Sequence, residues 1–347
     1  MFPKKFLGVD VGSSAIKIIE LSSFAGRIKL SNFGEIPAKS VFKEPFRTFE
    51  KNALYLSVDD ITRAIKAILE EAKIKTKQAF FSIPDFATFF TTFDLPPMTE
   101  QELPSAVKIE ARKHIPVPLS EVIFDWRVLD KKHLEKKKKL TILLAAVPHE
   151  IINRYRKIAQ KAELKLISLE AEIFSLVRVF GEEDKIISII DIGARTTTCN
   201  IIENKILKRS FSIDIGGDLL SERVGKSLEI GPEEGENLKK EFGIQPEGEK
   251  VREVLIPLLN TILFEVKKIF QNYELKEGKT IQKVILTGGE ANLRGLLEYS
   301  KIQLEKEVEI GDPFRRIIYP VILEETLKKI GPAFSIAVGL ALKGFEK

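Results

Sequence analysis

Asp10, Gly12, Ser13 and Ser14 stand close together in FLGVDVGSSAIKIIEL, residues 6–21, and Lys17 sits in the apolar run behind them. The order returns in IISIIDIGARTTTCNII, residues 186–202, with Asp191, Gly193, Arg195, Thr196 and Thr197. Each copy reads as an apolar run, an aspartate, a glycine, small polar residues and a second apolar run. Such a tip suits an anion, because successive backbone N–H groups form a nest and glycine admits the close approach of phosphate oxygens. The hydroxyls add donors, and Lys17, with its side chain turned back toward the tip, adds a point charge. The aspartates repel phosphate and suit instead a Mg2+ held through water, since that ion keeps several waters and takes one or two carboxylates together with phosphates. Asp and Gly are also default turn residues, so either copy alone reads as an ordinary turn. Two copies half a chain apart mark an internal duplication, and two facing hairpins can clamp a polyphosphate from both sides.

Two further glycine pairs belong to the same chemistry. Thr287, Gly288, Gly289 and Glu290 lie between a strand and a helix, where a bare backbone lets a base or ribose rest. Gly216 and Gly217 offer a similar turn before a helix. Neither GxxxxGK[ST] nor GxGxxG occurs, and each aspartate motif continues as a strand where those motifs would start a helix. His114, His133 and His149 share no ligand spacing, and Cys199 reads as a small buried residue rather than a nucleophile.

The elements that must position these residues follow from periodicity. Strands are expected over 5–10, 15–21 and 27–37, and helical spacing over 58–73. Aromatic strands begin at Gln78, with Phe80, Phe81, Phe86, Phe89, Phe90 and Trp126 expected in the core of an insert. Thr99 with Glu102 forms a capping-box pattern for a helix ending near His114, which Pro104 should bend in its second turn. Strands at 122–129 and 140–147 flank the lysine run 131–139, which reads as a hairpin loop. Helices are expected at 149–162 and 171–180, with a short strand near Leu166 between them. Three strands follow at 186–192, 196–203 and 205–213, then helices at 218–225, 232–242 and 250–273. A strand, turn and helix over 284–300 and a small-residue helix over 332–343 complete the pattern.

At 347 residues, 44% hydrophobic and 30% charged, the chain suits two globular lobes with a sizeable core. No apolar run is long enough to span a bilayer, and the N-terminus has no signal-peptide pattern. One cysteine excludes a disulfide within the chain and suits a reducing compartment. The net charge of +5 equals that of the run 131–139, so the rest of the chain is balanced. A basic face for nucleic acid is therefore not expected; the run reads as a solvated loop, with an acidic partner or lipid surface as the alternative.

Two aspartate hairpins, a later strand-Gly-Gly-helix turn and a terminal small-residue helix resemble the actin-like ATPase superfamily, which includes actin, Hsp70, sugar kinases, FtsA and MreB. The resemblance covers the whole chain and implies a two-lobed α/β actin-like ATPase fold, a duplicated ribonuclease-H-like unit, with ATP and Mg2+ as ligands. Residues 94–129, DLPPMTEQELPSAVKIEARKHIPVPLSEVIFDWRVL, further resemble the signature of the type IV pilus assembly protein PilM family. LLAAVPHEIINRY, EEGENLKK, DPF at 312–314 and AVGLAL extend that likeness. It implies a first lobe over 1–75, an inserted α+β subdomain over 76–150, and a return to the first lobe with a connecting helix over 151–182. The second lobe then covers 183–330, and a helix over 331–347 returns to the first. It also places Glu236 and Lys239 near ribose and adenine, with Gly235 where the family pattern carries alanine.

The implied role is a cytoplasmic ATP-binding scaffold, peripheral to the inner membrane, that docks the cytoplasmic N-terminal peptide of the membrane protein PilN beside the insert. Pilus motor ATPases and further copies in a ring are additional candidate partners. FtsA is the nearest rival, but FtsA-like chains carry a C-terminal linker and amphipathic helix, whereas this sequence stops at Lys347. A small-molecule kinase would need a catalytic base and an acceptor pocket. Glu170 and Glu172, in the connecting segment, are the candidates for a water-activating residue, and each also reads as solvated surface. Turnover is expected to be slow or absent.

Overall fold

The computed structural model describes residues 4–38, 45–50, 53–129 and 139–346, with side chains for all of these except 47–50 and 53–56. Strand β1 (Lys4–Val11) pairs antiparallel with β2 (Ala15–Phe24), and β2 with β3 (Arg27–Pro37). On the other side of β1 lie β6 (Gln78–Ile83) and β10 (Lys165–Ala171), both parallel to it, in the order β10-β6-β1-β2-β3. The second sheet repeats this strand for strand. β11 (Ile186–Ile192), β12 (Thr197–Glu203) and β13 (Ile206–Ile213) form the meander, and β14 (Lys283–Thr287) and β15 (Glu307–Ile310) the parallel side. The duplication read from two short motifs thus extends through ten strands.

Helices sandwich both sheets, which is why the central strands read as nearly continuous apolar runs. Outside the first sheet, α1 (Val58–Glu71) and α3 (His149–Lys161) bury Ile61, Ile65, Ile151 and Tyr155 against Leu7 and Val9. The outer face of the second sheet packs on α5 (Gly217–Ser227) and the long α7 (Glu249–Glu277). Between the lobes lie α4 (Glu172–Phe180) and α9 (Glu324–Lys343). Leu176, Phe180, Phe334 and Ala337 share one core with Ile19 of the first sheet and Ile189 of the second. Small residues permit this crossing: a Cβ on Gly8 would collide with the Ala337 carbonyl, and one on Gly339 with that of Ser175. A two-stranded sheet, β4 (Arg47–Glu50) with β5 (Ala53–Leu56), is an element the sequence pattern does not announce.

The insert is an antiparallel sheet of β7 (Phe89–Leu95), β9 (Leu140–Pro148) and β8 (Val122–Val128), covered by α2 (Leu103–His114). Its own core includes Phe93, Val107, Ala111, Ile142 and Leu144. Its boundary differs from the sequence expectation, because β6 lies between β1 and β10 in the first sheet and so belongs to the lobe. Phe81 is accordingly first-lobe core, stacked edge-on to Tyr155, and Phe86 packs on the same core. Phe80 meets Phe6, and Phe90 meets Phe174 of α4. Only Phe89 and Trp126 of that aromatic group pack on the insert core. Aromatic content cannot separate a lobe strand from an insert strand when the two are consecutive.

Two helix boundaries also shift. Glu102 accepts hydrogen bonds from the Thr99 amide and hydroxyl, both at 2.8 Å, yet α2 begins at Leu103. Pro104 therefore sits in the first turn, where its missing N–H costs nothing, and does not bend the second. The last helix starts at Glu324 and carries Pro332 inside it. Of the lysine run, residues 131–138 lie outside the described residues, and Lys139 pairs with Asp94 at 2.8 Å. Among the described residues, no helix is long and apolar enough to cross a membrane.

Candidate functional site

Asp10 and Asp191 occupy equivalent places near the ends of β1 and β11, each on the first strand of its hairpin, with Asp10 opposite Lys17 and Asp191 opposite Thr198. The turns that follow are built alike. The Gly12 N–H donates to Ala15 O at 2.9 Å, and the Gly193 N–H to Thr196 O at 3.0 Å. A Cβ on Gly12 would lie 2.7 Å from that Ala15 carbonyl, so glycine closes the turn. These two amides are thus turn donors rather than members of an anion nest. Among the described residues, no backbone carbonyl takes the amides of Ser14, Ala194 or Arg195, which leaves them at the tips.

The two tips open onto one narrow cleft of about 80 Å³. Asp10, Gly12, Ser13, Ser14 and Lys17 line it from the first lobe, and Asp191, Gly193, Arg195 and Thr196 from the second. Gly288, Gly289 and Glu172 complete the predicted set found there. Gly288 has φ +90°, and a Cβ on it would collide with Asp191 Oδ1, so this glycine both makes its turn and lets the aspartate lie against it. Gly289 is exposed, with no atom within 4 Å of where a Cβ would stand, leaving a bare platform at the rim. The α9 proline reaches the same turn: Pro332 O accepts from the Gly288 N–H at 3.1 Å and lies 2.9 Å from Thr287 Oγ1.

Other predicted residues stand outside the cleft lining. The Thr197 hydroxyl donates to Ile215 O at 2.7 Å, a structural bond. Gly216 and Gly217 fix the second turn from behind, with the Gly217 amide donating to Gly193 O at 2.9 Å and the Asp218 amide to Ala194 O at 2.8 Å. Glu236, Lys239 and Glu290 form an adjoining cluster. Lys239, on α6 (Pro232–Phe242), is fully buried, with its ammonium 2.8 Å from Glu236, 2.7 Å from Glu290 and 3.2 Å from Gly217 O. Lys240 reaches the other Glu236 oxygen at 2.9 Å, and Ser221 donates to Glu236 as well. Burial alone would raise the Glu236 carboxyl, but the Lys239 charge and these donors hold it at about 2. Glu290 moves the other way, because burial outweighs its single lysine partner and raises its pKa. Gly217 must lack a side chain, since a Cβ there would strike the Glu290 carboxylate.

The two carboxylates of the connecting segment are both buried, not solvated as their sequence position suggests. Glu170 ends in a structural node, 2.6 and 2.9 Å from Arg178 and 2.5 Å from Lys343. Burial acts to raise its pKa, and the paired cations overcome this and leave it below the usual carboxylate range. Glu172, in the first turn of α4, lines the cleft and accepts from the Asp85 amide at 3.4 Å. Asp85 in turn accepts from the Ile173 amide at 3.0 Å, supplying that helix with a cap from outside the segment.

Several positions of the candidate site escape a reading of motifs. Ser82, fully buried on β6, donates to Asp10 Oδ1 at 2.8 Å and orients that carboxylate. Thr198 and Ser335 line the cleft, and Ser335 Oγ lies 2.8 Å from Thr287 Oγ1. The available signal was a lone hydroxyl within an apolar run, as in AFFSIP and PAFSIAVG.

The donor set fits a magnesium polyphosphate. Among the described residues, no three His, Cys, Asp or Glu side chains are grouped to hold a bare metal ion, so a cation here has to draw on water and phosphate oxygens. Tip amides that no backbone carbonyl takes among the described residues, together with the Lys17 ammonium, which also lies 3.8 Å from Glu35, suit phosphates, and the bare Gly289 platform suits a nucleoside.

Comparison with known proteins follows the same outline. The sequence profile of the family of type IV pilus assembly protein PilM matches residues 8–345. The chain superposes on a structure of the PilM-PilN type IV pilus biogenesis complex with a TM-score of 0.85 at 22% identity, covering 98% of each chain. MreB5 of Spiroplasma citri bound to AMPPNP gives a TM-score of 0.54 at 14% identity, over 99% of this chain and 96% of that one. The cell division protein FtsA of Streptococcus pneumoniae serotype 2 (strain D39 / NCTC 7466) is 22% identical over 331 residues, 87% of this chain and 67% of that protein. The fold is the two-lobed actin-like one.

Proposed function

The chain belongs to the family of type IV pilus assembly protein PilM, and from that premise we propose that it is an ATP–Mg2+-binding scaffold of the pilus assembly machinery. The observation that carries the nucleotide reading is the pair of equivalent aspartate turns lining one cleft, with the Gly288–Gly289 turn on the same wall. Asp10 and Asp191 would hold Mg2+ through water, with Ser82 keeping the first of them oriented. Ser13, Ser14, Lys17, Arg195 and Thr196 would take the phosphates. Gly289 and the cluster of Glu236, Lys239 and Glu290 would receive the nucleoside, with Gly216 and Gly217 holding that cluster against the second turn. The metal, when bound, neutralises charge on the β- and γ-phosphates. Of the two connecting-segment carboxylates, Glu172 is the candidate to orient an attacking water, because it lines the cleft and Glu170 is committed to Arg178 and Lys343.

The partner reading is that the insert and first lobe dock the N-terminal cytoplasmic peptide of a PilN-like inner-membrane protein, which would hold the chain at the cytoplasmic face of that membrane. Its support is family membership and the likeness to one chain of a PilM-PilN complex. Pilus motor ATPases are further candidate partners on the same ground. Calorimetric titration of the full chain with ATP and Mg2+ tests the first part, with binding expected for wild type and abolished by Asp10→Ala plus Asp191→Ala. Absence of wild-type binding, or binding indifferent to that pair, removes the nucleotide reading. Titration with a synthetic peptide of a PilN-like N-terminus tests the second part separately.

A further inference from the structure

Because the second sheet repeats the first, each residue of one aspartate hairpin has a counterpart in the other. Asp10 and Asp191 correspond, and so do the residues across from them, Lys17 and Thr198. Two residues further along the return strand, on the same face, stand Ile19 and Asn200. Both are wholly buried, at 0% exposure. Ile19 joins the core shared by the two lobes, as does Ile189, the residue directly opposite Asn200. Asn200 instead carries an amide into that face, and its Oδ1 has no hydrogen-bond partner among the described residues. A buried amide oxygen left without a donor lowers stability. The fold thus takes an apolar residue at this place in one lobe and a costly polar one in the other.

The side-chain bond that Asn200 does make leads to the cleft. Its Nδ2 donates to Thr198 Oγ1 at 3.3 Å. Turning the amide over would set two N–H donors where the oxygen now has no partner, which is worse than leaving one acceptor unmet. Thr198 lines the cleft beside Asp191, and among the described residues its own proton has no acceptor. A hydroxyl rotates to suit its neighbours, so an N–H arriving from its buried side turns the O–H toward the open one.

We propose that Asn200 is a positioning residue of the candidate nucleotide site, holding the Thr198 hydroxyl as a hydrogen-bond donor to a phosphate oxygen of the bound nucleotide. The first lobe offers the Lys17 ammonium across from Asp10, and the second offers this oriented hydroxyl across from Asp191, so each jaw sets a donor opposite its aspartate. The inference rests on the nucleotide reading of the cleft and deepens it.

The test compares calorimetric titration with ATP and Mg2+, and thermal melts of the unliganded full chain, for wild type, Thr198→Val, Asn200→Val and the double variant. Asn200→Ala is added as a smaller replacement that cannot overpack. Each single substitution should weaken ATP binding about tenfold, the scale of one hydrogen bond to a charged group. The double variant should bind as the singles do, because both remove the same bond. The thermal midpoint of Asn200→Val should stay at or above that of wild type, since the unmet amide is gone and the strand gains a β-branched residue. Thr198→Ser, which keeps the hydroxyl, should bind as wild type does and weaken about tenfold when Asn200→Val is added. Wild-type affinity in both Asn200 variants overturns the proposal and leaves the nucleotide reading standing, as does a double variant whose losses multiply. Weakened binding that comes only with a lowered midpoint, in both Asn200 variants alike, marks a structural role and overturns it too. A wild type that binds no ATP removes the nucleotide reading and the proposal with it.

Discussion

At the residue scale, the adjoining cluster shows how one spacing takes its chemistry from its surroundings. Glu236 and Lys239 are three apart on α6 and so share a face, but spacing alone does not say that the face is turned inward with Lys239 wholly buried. The Glu236 carboxyl, held at about 2 against an ordinary 4.5, is worth about 2–3 kcal/mol of stability at neutral pH. Because the folded value is depressed, that contribution is present above about pH 4.5 and is lost as pH falls toward 2. Glu290 works in the opposite sense: its raised carboxyl favours the folded state at low pH and gives that stability up as pH rises. Glu236→Gln should therefore lower stability at pH 7 by about 2 kcal/mol and flatten the acid limb between pH 4.5 and 2. Urea titrations across that range check it, and an acid limb as steep as wild type would mean that other carboxylates govern it. Gly288 was better legible, since two consecutive glycines between strand and helix already imply a backbone other residues cannot adopt.

At the element scale, Glu170 and Glu172 are two residues apart and have separate fates because β10 ends at Ala171 and α4 begins at Glu172. The strand leaves Glu170 against Arg178 and Lys343, a node that joins β10, α4 and α9, with Arg178 also donating to Gly339 O at 3.1 Å. The helix start puts Glu172 at the cleft. Sequence patterning marked both as candidates because it located the connecting segment without resolving the turn within it. Glu170→Gln should lower stability by about 3 kcal/mol, the scale for breaking a buried ion pair, and leave ATP affinity intact. Glu172→Gln should leave ATP affinity intact and reduce whatever ATP turnover the wild type shows. Thermal melts beside a phosphate-release assay separate the two, and equal effects of both substitutions on turnover would refute the division of roles. The insert boundary was misplaced for a related reason. Gln78–Ile83 and Phe89–Leu95 have similar texture, and only pairing with β1 and β10 assigns the first to the lobe.

At the scale of the whole molecule, the architecture was legible because duplication leaves a trace in its most constrained parts, the two aspartate turns, whereas the rest of the repeat has diverged into different helices. What the sequence could not disclose is how α4 and α9 bridge the lobes. Leu176 and Ile336 line the cleft between the two aspartate turns, while Val179 and Leu342 on the same two helices line a second cavity. The chain contains a reporter for this coupling of lobe and cleft. Strand alternation on β12 turns Thr198 to the cleft and Cys199 into the second-lobe core, where burial pushes its thiol up to about 12. A fully buried thiol with so little thiolate reacts only when its strand opens, and opening β12 removes Thr198 from the cleft wall as well. Disulfide-exchange labelling of Cys199 should therefore be slow in the native protein and rise with urea in step with local unfolding. ATP with Mg2+ at about 100 times its dissociation constant should slow labelling about 100-fold, the equivalent of about 2.7 kcal/mol. The slowing should vanish when Asp10 and Asp191 are both alanine. If calorimetry registers ATP binding while the Cys199 rate stays unchanged, the opening that exposes β12 leaves the cleft intact, and the two lobes do not share the single cooperative unit that their common helices imply.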